Sequence, residues 1–435
     1  MPYRPLKLAG ILFPAMLAAQ SGPDLQQIVE RLNRLERENS ELREEVRALR
    51  REAAAAHPRE ERLEVQERRT EELAQSKVEA AEKFPVTLSG MLLFNAFWNG
   101  RYGGDAQYPL TAQAAAGRRY AGGSPRQSIV SLRFDGPAVA GGGKVSGSLD
   151  ADFFAGSAQS LNHLLRIRTA AVRIDWENIS FIAGQDKPII APRNPESLAQ
   201  VALSPLTAAG NLWLWQPQAS VERRFGFGEN AGLKARVGVF ETAEASATTA
   251  QEYAAALSRG RPSLEGRFEW WSRWGENARI EIAPGFHAST TRLPGYSLPS
   301  RVYSVDWLIR PARYADFTGT YFTGENVAVL GSLRQGIVAV RGDPHPVHAN
   351  GGWGQLGLHP GERLTINLFA GQQNDRDSDL LPGLVGRNLV TGANGIYRLG
   401  ANVQAALEAS RIRTGYLGLG NRTVNHYDVA LAYLF

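Results

Sequence analysis

Six arginines carry the chemistry this sequence can offer: Arg133, Arg166, Arg168, Arg193, Arg236 and Arg279. A guanidinium is permanently charged and forks onto carboxylates or phosphates, so it attracts anions without making or breaking bonds. Five of the six fall on polar faces of alternating segments, and Arg193 sits in a long connection between two of them. Asp150, Asp152 and Glu281 fall on the same faces and offset part of the charge. Facing positive and negative walls give a transverse field, so the expected preference for anions is modest. A passage of this kind needs a constriction and a field, and no catalytic group.

Enzymatic readings find little support. The chain has no cysteine, which excludes a thiol nucleophile, a cysteine–zinc site and a disulfide scaffold. Gly141-Gly142-Gly143-Lys144 continues into Val145 where a phosphate-binding loop needs serine or threonine. His345 and His348 share a segment without a surrounding ligand cluster, so neither a metal nor any other cofactor is expected. Neither a GxSxG nor an HExxH motif is present. Basic residues are interspersed with acids rather than clustered, which argues against nucleic acid.

The elements that must position these arginines are strands. From residue 84 to 435 a two-residue period runs through sixteen segments, the first near 87–100 and the last near 424–435. Leu233, Ala235, Val237 and Val239 oppose Lys234, Arg236 and Gly238, for example. Joints after even-numbered segments are short turns such as Gly228-Glu229-Asn230; those after odd-numbered segments are long, as at 187–210. Sorting of loop lengths by parity predicts an all-β fold, a 16-stranded antiparallel transmembrane barrel. Trp98, Trp176, Trp270, Trp271, Trp274, Trp307, Tyr303 and Tyr427 fall near segment ends, where aromatic girdles meet headgroups. Tyr427, Val429, Leu431, Tyr433 and Phe435 share one face of the last segment. With Tyr433 and Phe435 at its end, the segment resembles the assembly signal of bacterial outer-membrane barrels, which implies the barrel-assembly machinery as a partner. In 163–176 the alternation slips, which predicts a bulge near Ala170-Ala171 or a face turned to protein. The apolar connection 187–210 is expected to fold into the lumen, with a short helix at Glu196–Leu203.

Three segments precede the barrel. Residues 1–20 have a basic start, a short apolar run and small residues, the layout of a secretory signal peptide. In 24–57, Leu25, Ile28, Leu32, Leu35, Asn39, Leu42, Val46 and Leu49 recur at spacings of three and four, the seam of an α-helical coiled coil that needs partner copies. Residues 58–83 read as a charged helical spacer. The net charge is −3 over 24–83 and +6 over 84–435. The chain is therefore expected in a bacterial outer membrane, among lipid and lipopolysaccharide, with the coil in the periplasm. A second reading makes the barrel a mechanical element whose coil touches peptidoglycan.

The run LLRIRTAAVRIDWENISFIAGQDKP at 164–188 resembles the arginine-rich strand, tight turn and following strand of the DcaP-like trimeric porins, relatives of the phosphate-selective porins O and P. NLWLWQPQASVERRF at 211–225, GGWGQLGLHPGERLTINLFAGQQND at 351–375 and ANVQAALEASRIRTGY at 401–416 are also similar to that family. The resemblance implies a homotrimer of 16-stranded barrels passing small anionic solutes such as dicarboxylates. Trp215 departs from the family's pattern, which has an arginine before Gln216-Pro217-Gln218, and this argues against strict anion selectivity.

Overall fold

The computed structural model describes residues 30–50, 86–156, 163–243, 253–333, 335–340 and 342–435. The expected signal peptide, the 58–83 spacer and the seam residues Leu25 and Ile28 lie outside the described residues. The chain divides into two units, Met1–Glu82 and Lys83–Phe435.

In the first unit, residues 30–50 form one α-helix. Arg34 and Glu38 pair across one turn at 3.2 Å. Leu32, Leu35, Leu42, Val46 and Leu49 are all exposed, and Asn39 lies exposed between them. A single helix has no second surface on which to bury such a stripe.

The second unit begins with β1 (Val86–Asn99), β2 (Tyr120–Ser124), β3 (Ile129–Val139) and β4 (Gly143–Ala155). It continues through β5 (Leu164–Asp175), β6 (Ile179–Asp186), β7 (Gln216–Gly226), β8 (Ala231–Thr242) and β9 (Arg261–Trp274). The long hairpin of β10 (Ala278–Leu293) and β11 (Tyr296–Ala312) leads to β12 (Ala315–Glu325). A small separate hairpin follows, β13 (Ile337–Val340) with β14 (Asp343–Pro346). The wall is completed by β15 (His348–Leu358), β16 (Leu364–Asp375), β17 (Val385–Arg398), β18 (Val403–Tyr416) and β19 (Gly420–Leu434).

Each wall strand pairs antiparallel with the next, and β19 returns to β1, so the sheet closes as a 16-stranded barrel. β2 and β3 form one broken stave: β2 pairs with the upper part of β1 and β3 with the lower part. Every expected segment overlaps one stave. Closure leaves no unpaired edge, which is why strands can stand in hydrocarbon at all. The alternation is the one the sequence carries: on β19, Tyr427, Val429, Leu431 and Tyr433 face out, while His426, Asp428, Ala430 and Ala432 are buried.

Four expectations about the barrel wall need correction. Loop parity fails twice, because the joints 294–295 and 417–419 are as tight as those at the opposite end. The adjoining strands simply run longer, which polar alternation beyond the membrane permits. β7 begins at Gln216, and 211–215 is extended chain belonging to the preceding loop. The slip in β5 lies a little earlier than expected: Asp150 pairs with Thr169 but Ala151 with Ile167, which makes Arg168 the extra residue. Trp271 does not join the girdle with Trp270. It shares the inward face of Glu265, Arg267 and Glu269, since neighbours on a strand point opposite ways.

Candidate functional site

The connection between β6 and β7, residues 187–215, turns into the barrel. It contains no helix, so the segment Glu196–Leu203 is irregular backbone. Inside a barrel such backbone must find partners on the wall, and it does. The Ile189 N–H donates to Glu265 on β9 at 2.6 Å, and the Ser304 hydroxyl on β11 donates to the Ile190 carbonyl at 2.9 Å. The Glu196 N–H donates to Gln355 on β15 at 2.6 Å. Ser197 and Gln200 both donate to Glu408 on β18, each at 2.5 Å. Gln127, just before β3, accepts from the N–H groups of Val201 and Ala202 and donates to the Ala199 carbonyl at 2.7 Å.

Apolar side chains of the loop explain why it lies inside rather than out. Ile190 and Leu212 pack with Phe240, Val302 and Phe322; Leu206 and Ala209 with Trp353 and Phe369; Leu198 and Ala199 with Met91 and Leu93. Burying each large apolar side chain contributes roughly 1.5–3 kcal/mol relative to exposure. Gly210 lets the returning chain press against β15: its φ is 96°, and a Cβ would meet the Gly352 carbonyl oxygen at 2.3 Å.

Two charged clusters flank this loop. At one, the Asp152 side chain is fully buried and Arg166 grips it with two bonds, Nε to Oδ1 at 3.0 Å and Nη2 to Oδ2 at 2.6 Å. Arg166 also donates to the loop carbonyl of Ala202 at 3.0 Å. Arg168 reaches the same carboxylate only at 3.9 Å. Both guanidiniums lie over the Trp215 ring, at 5.1 Å and 5.0 Å from its centroid. Arg126 sits 4.6 Å from the Phe154 centroid, on whose ring Arg166 also rests at 5.4 Å. Arg166 and Arg168 therefore share one carboxylate, Arg126 donates to the carbonyls of Phe154, Ala155 and Gly156, and the three cations lie against two aromatic faces. Asp150 makes no ion pair with them, being held by Arg133 at 3.0 Å and by Thr169 at 2.9 Å. Nearby, burial holds the Lys187 ammonium below its ordinary range, with Asp186 pulling the other way.

At the second cluster, Arg193 from the loop meets Asp306 at 2.6 Å, Glu281 at 2.7 Å and Glu269 at 3.6 Å. Arg267 joins Asp306 and Glu269 at 2.7 Å each, and Lys234 joins Glu269 at 2.7 Å. Arg279 reaches Glu281 at 3.6 Å. Here carboxylates nearly match cations. Farther along the loop, burial and then the charge of Asp316 raise Glu196 above the usual carboxylate range.

The six arginines singled out by sequence thus separate. Arg166 and Arg168 come together, and Arg193 and Arg279 meet over Glu281. Arg236 stands between, bonded to Ser220 at 3.0 Å and Gln218 at 3.1 Å, and Arg133 is half-exposed on β3. Sequence reasoning missed Arg126, Arg267, Glu269, Asp306 and Glu408. The inward parity of Arg267 and Glu269 with Glu265 could have found two of them; the partners of the loop carried no local signal.

A closed antiparallel barrel with an infolded loop crossing its lumen defines a porin-type outer-membrane fold. Among solved structures, the chain is similar to the outer membrane channel DcaP of Acinetobacter baumannii, with a TM-score of 0.64 at 15% identity over 80% of this chain and 97% of that one. It is also similar to an anion-selective porin from Comamonas acidovorans, with a TM-score of 0.53 at 14% identity over 80% and 99% of the two chains. Salmonella typhi OmpF, solved with daunomycin, gives a TM-score of 0.52 at 11% identity over 80% and 97%. No protein-family model matches the sequence, and no curated protein is similar to it in sequence.

Proposed function

We propose that the protein is a passive porin that admits small hydrophilic solutes, with a weak preference for anions such as dicarboxylates, and works as a trimer of barrels. The observation that carries this reading is the cluster of Arg126, Arg166 and Arg168 with Asp152 as its one paired carboxylate among the described residues, beside a loop folded across the lumen. Positive charge in excess beside a narrowed passage raises the local concentration of anions. The near-neutral cluster around Arg193 limits that preference. In the same reading a signal peptide at 1–20 directs export, and Tyr433 and Phe435 hand the chain to the barrel-assembly machinery. The seam from Leu25 to Leu49 ties three copies together in the periplasm.

The deciding experiment is reconstitution of the purified protein in a planar bilayer. Stepwise conductance in groups of three, with a zero-current potential of anion-selective sign in a salt gradient, is the expected result. Absence of steps sinks the porin reading; a cation-selective potential sinks the anion preference alone.

A further inference from the structure

The outward wall of the barrel carries charge where lipid should be. On β17 and β18 the side chains Arg387, Arg411 and Arg413 alternate with buried residues and are exposed on the outer surface. They are neighbours in the sheet: Leu389 lies opposite Arg413, and Thr391 opposite Arg411, so Arg387 is two residues from the first line and four from the second. Arg376 follows β16, and Arg301 stands on β11 directly above the exposed Tyr303. Among the described residues no carboxylate lies within salt-bridge reach of Arg376, Arg387, Arg411 or Arg413. Arg387 makes one neutral bond, to Gln372 at 2.6 Å, and Arg301 comes no nearer than 3.9 Å to Glu325.

Height decides what these groups meet. A strand tilted about 40° climbs roughly 2.6 Å per residue. Tyr397, at the short-turn end of β17, is ten residues from Arg387, hence about 26 Å away along the membrane normal. The apolar band of such barrels is about 25 Å tall. On β18 the outward residues Ala405, Leu407 and Ala409 give way at once to Arg411 and Arg413. Arg387 therefore stands at the outer boundary of the hydrocarbon, and Arg413 and Arg411, about 5 and 10 Å lower by the same rise, extend their long side chains from within the band toward headgroup level. The other half of the circumference differs: at the same end β5 shows Leu165 and Ile167, β8 shows Val239 and Glu241, and β9 shows Pro262 and Leu264.

A second feature adjoins the row. Arg301, Arg376, Thr323 and Asn350 line an open recess of about 650 Å³ on this same outer face. Its partners in register, Tyr303, Thr323, Asn350, Asn374 and Arg387, cross from β11 to β17 as one lateral row. An unpaired guanidinium at an interface is matched by a tetrahedral oxyanion, which it binds through two parallel bonds.

We propose that this face is a binding site for the phosphorylated saccharide headgroup of an outer-leaflet glycolipid, lipopolysaccharide, with Arg387, Arg411 and Arg413 holding the phosphates and the recess beside Arg301 and Arg376 taking sugar. The inference rests on the outer-membrane placement of the barrel and not on conduction or its selectivity. The test titrates the purified full-length protein in detergent micelles with bisphosphorylated lipid A, read by native mass spectrometry. Wild type should bind it, and the R387Q/R411Q/R413Q variant should bind at least tenfold more weakly. Wild type should likewise bind phosphate-stripped lipid A at least tenfold more weakly. R223Q, outward-facing on β7 away from the belt, serves as control and should bind like wild type. Conductance steps of the triple variant, and its heat-resistant band in detergent gels, should match wild type, which separates this site from the porin reading. Binding by the triple variant within twofold of wild type, or equal binding of the phosphate-free lipid, overturns the proposal. Should the triple variant fail to fold, the comparison of the two lipids on wild type still decides it.

Discussion

The two charged clusters that hold the infolded loop use the same cation for different ends. At the Arg193 cluster one loop arginine enters a ring of Asp306, Glu281 and Glu269, and Arg267, Lys234 and Arg279 complete the balance. At the Arg166 cluster Asp152 is the one paired carboxylate among the described residues, joined to Arg166 and distantly to Arg168. Arg126 donates to backbone carbonyls, and aromatic rings take the place of missing carboxylates. The first arrangement fixes a backbone; the second stores a field. Neither role can be told from residue type, since both begin with an arginine on or near an alternating strand. What separates them is the number of carboxylates that the closed sheet brings within reach.

Breaking the first cluster should have the largest effect. Arg193→Ala removes the loop's ionic anchor to Asp306 and Glu281. Truncating one partner of a buried ion pair costs up to about 3–5 kcal/mol, the upper end being softened by Arg267, Lys234 and Arg279, which still face the three carboxylates. The loop should loosen, lowering the temperature at which the folded band disappears in a detergent gel and raising single-channel conductance. Unchanged values of both would show that the hydrogen bonds at Ile189, Glu196 and Ser197 suffice.

Trp215→Ala removes the shared face beneath Arg166 and Arg168. A desolvated cation–π contact is worth about 2 kcal/mol, and an exposed one about 0.5–1 kcal/mol. A drop in denaturation midpoint smaller than that of Arg193→Ala is expected, with noisier open-channel current. Equal stability of the two variants would erase the distinction between the clusters.

Arg168→Ala tests the stored field directly, because Arg168 has only a distant claim on Asp152. A unit charge about 8 Å from an ion's path acts in water with about 0.5 kcal/mol, with opposite sign on anion and cation, so after salt screening roughly a two- to sixfold change in the anion-to-cation permeability ratio is expected. The zero-current potential should move by that amount toward the cation side. Arg133→Ala should do least. Its pair with Asp150 is half-exposed, and such pairs contribute about 0–1 kcal/mol. A shift from Arg133→Ala larger than that from Arg168→Ala would relocate the selective region toward the short-turn end.

Much of the fold was legible because strand alternation is local. Ile282, Pro284 and Phe286 turn outward and His287 inward from their spacing alone, and the same arithmetic holds on β18 and β19. The infolded loop was legible too, since an apolar connection has no favourable place in water. Its conformation was not. Glu196–Leu203 looks helical by composition, yet its backbone donates to Gln127 and Gln355 and its Ser197 and Gln200 side chains to Glu408, all distant in sequence. The partners of each arginine were hidden for the same reason: Arg193 and Asp306 are 113 residues apart and meet only after the wall closes.

The seam between β1 and β19 sets the order in which the molecule can assemble. There Asn95 donates to Asp428 at 3.1 Å across 333 residues of chain. Joining the ends of so long a loop carries an entropic cost of roughly 5 kcal/mol, growing as the logarithm of its length. Neighbouring hairpins elsewhere in the wall face a far smaller cost. Nine register pairs from Met91–Leu434 to Asn99–His426 must therefore form nearly together to hold the seam. Amide exchange in the folded barrel should follow that hierarchy, with the β1–β19 boundary opening more readily than the hairpin of β10 and β11, although both are built from the same bonds.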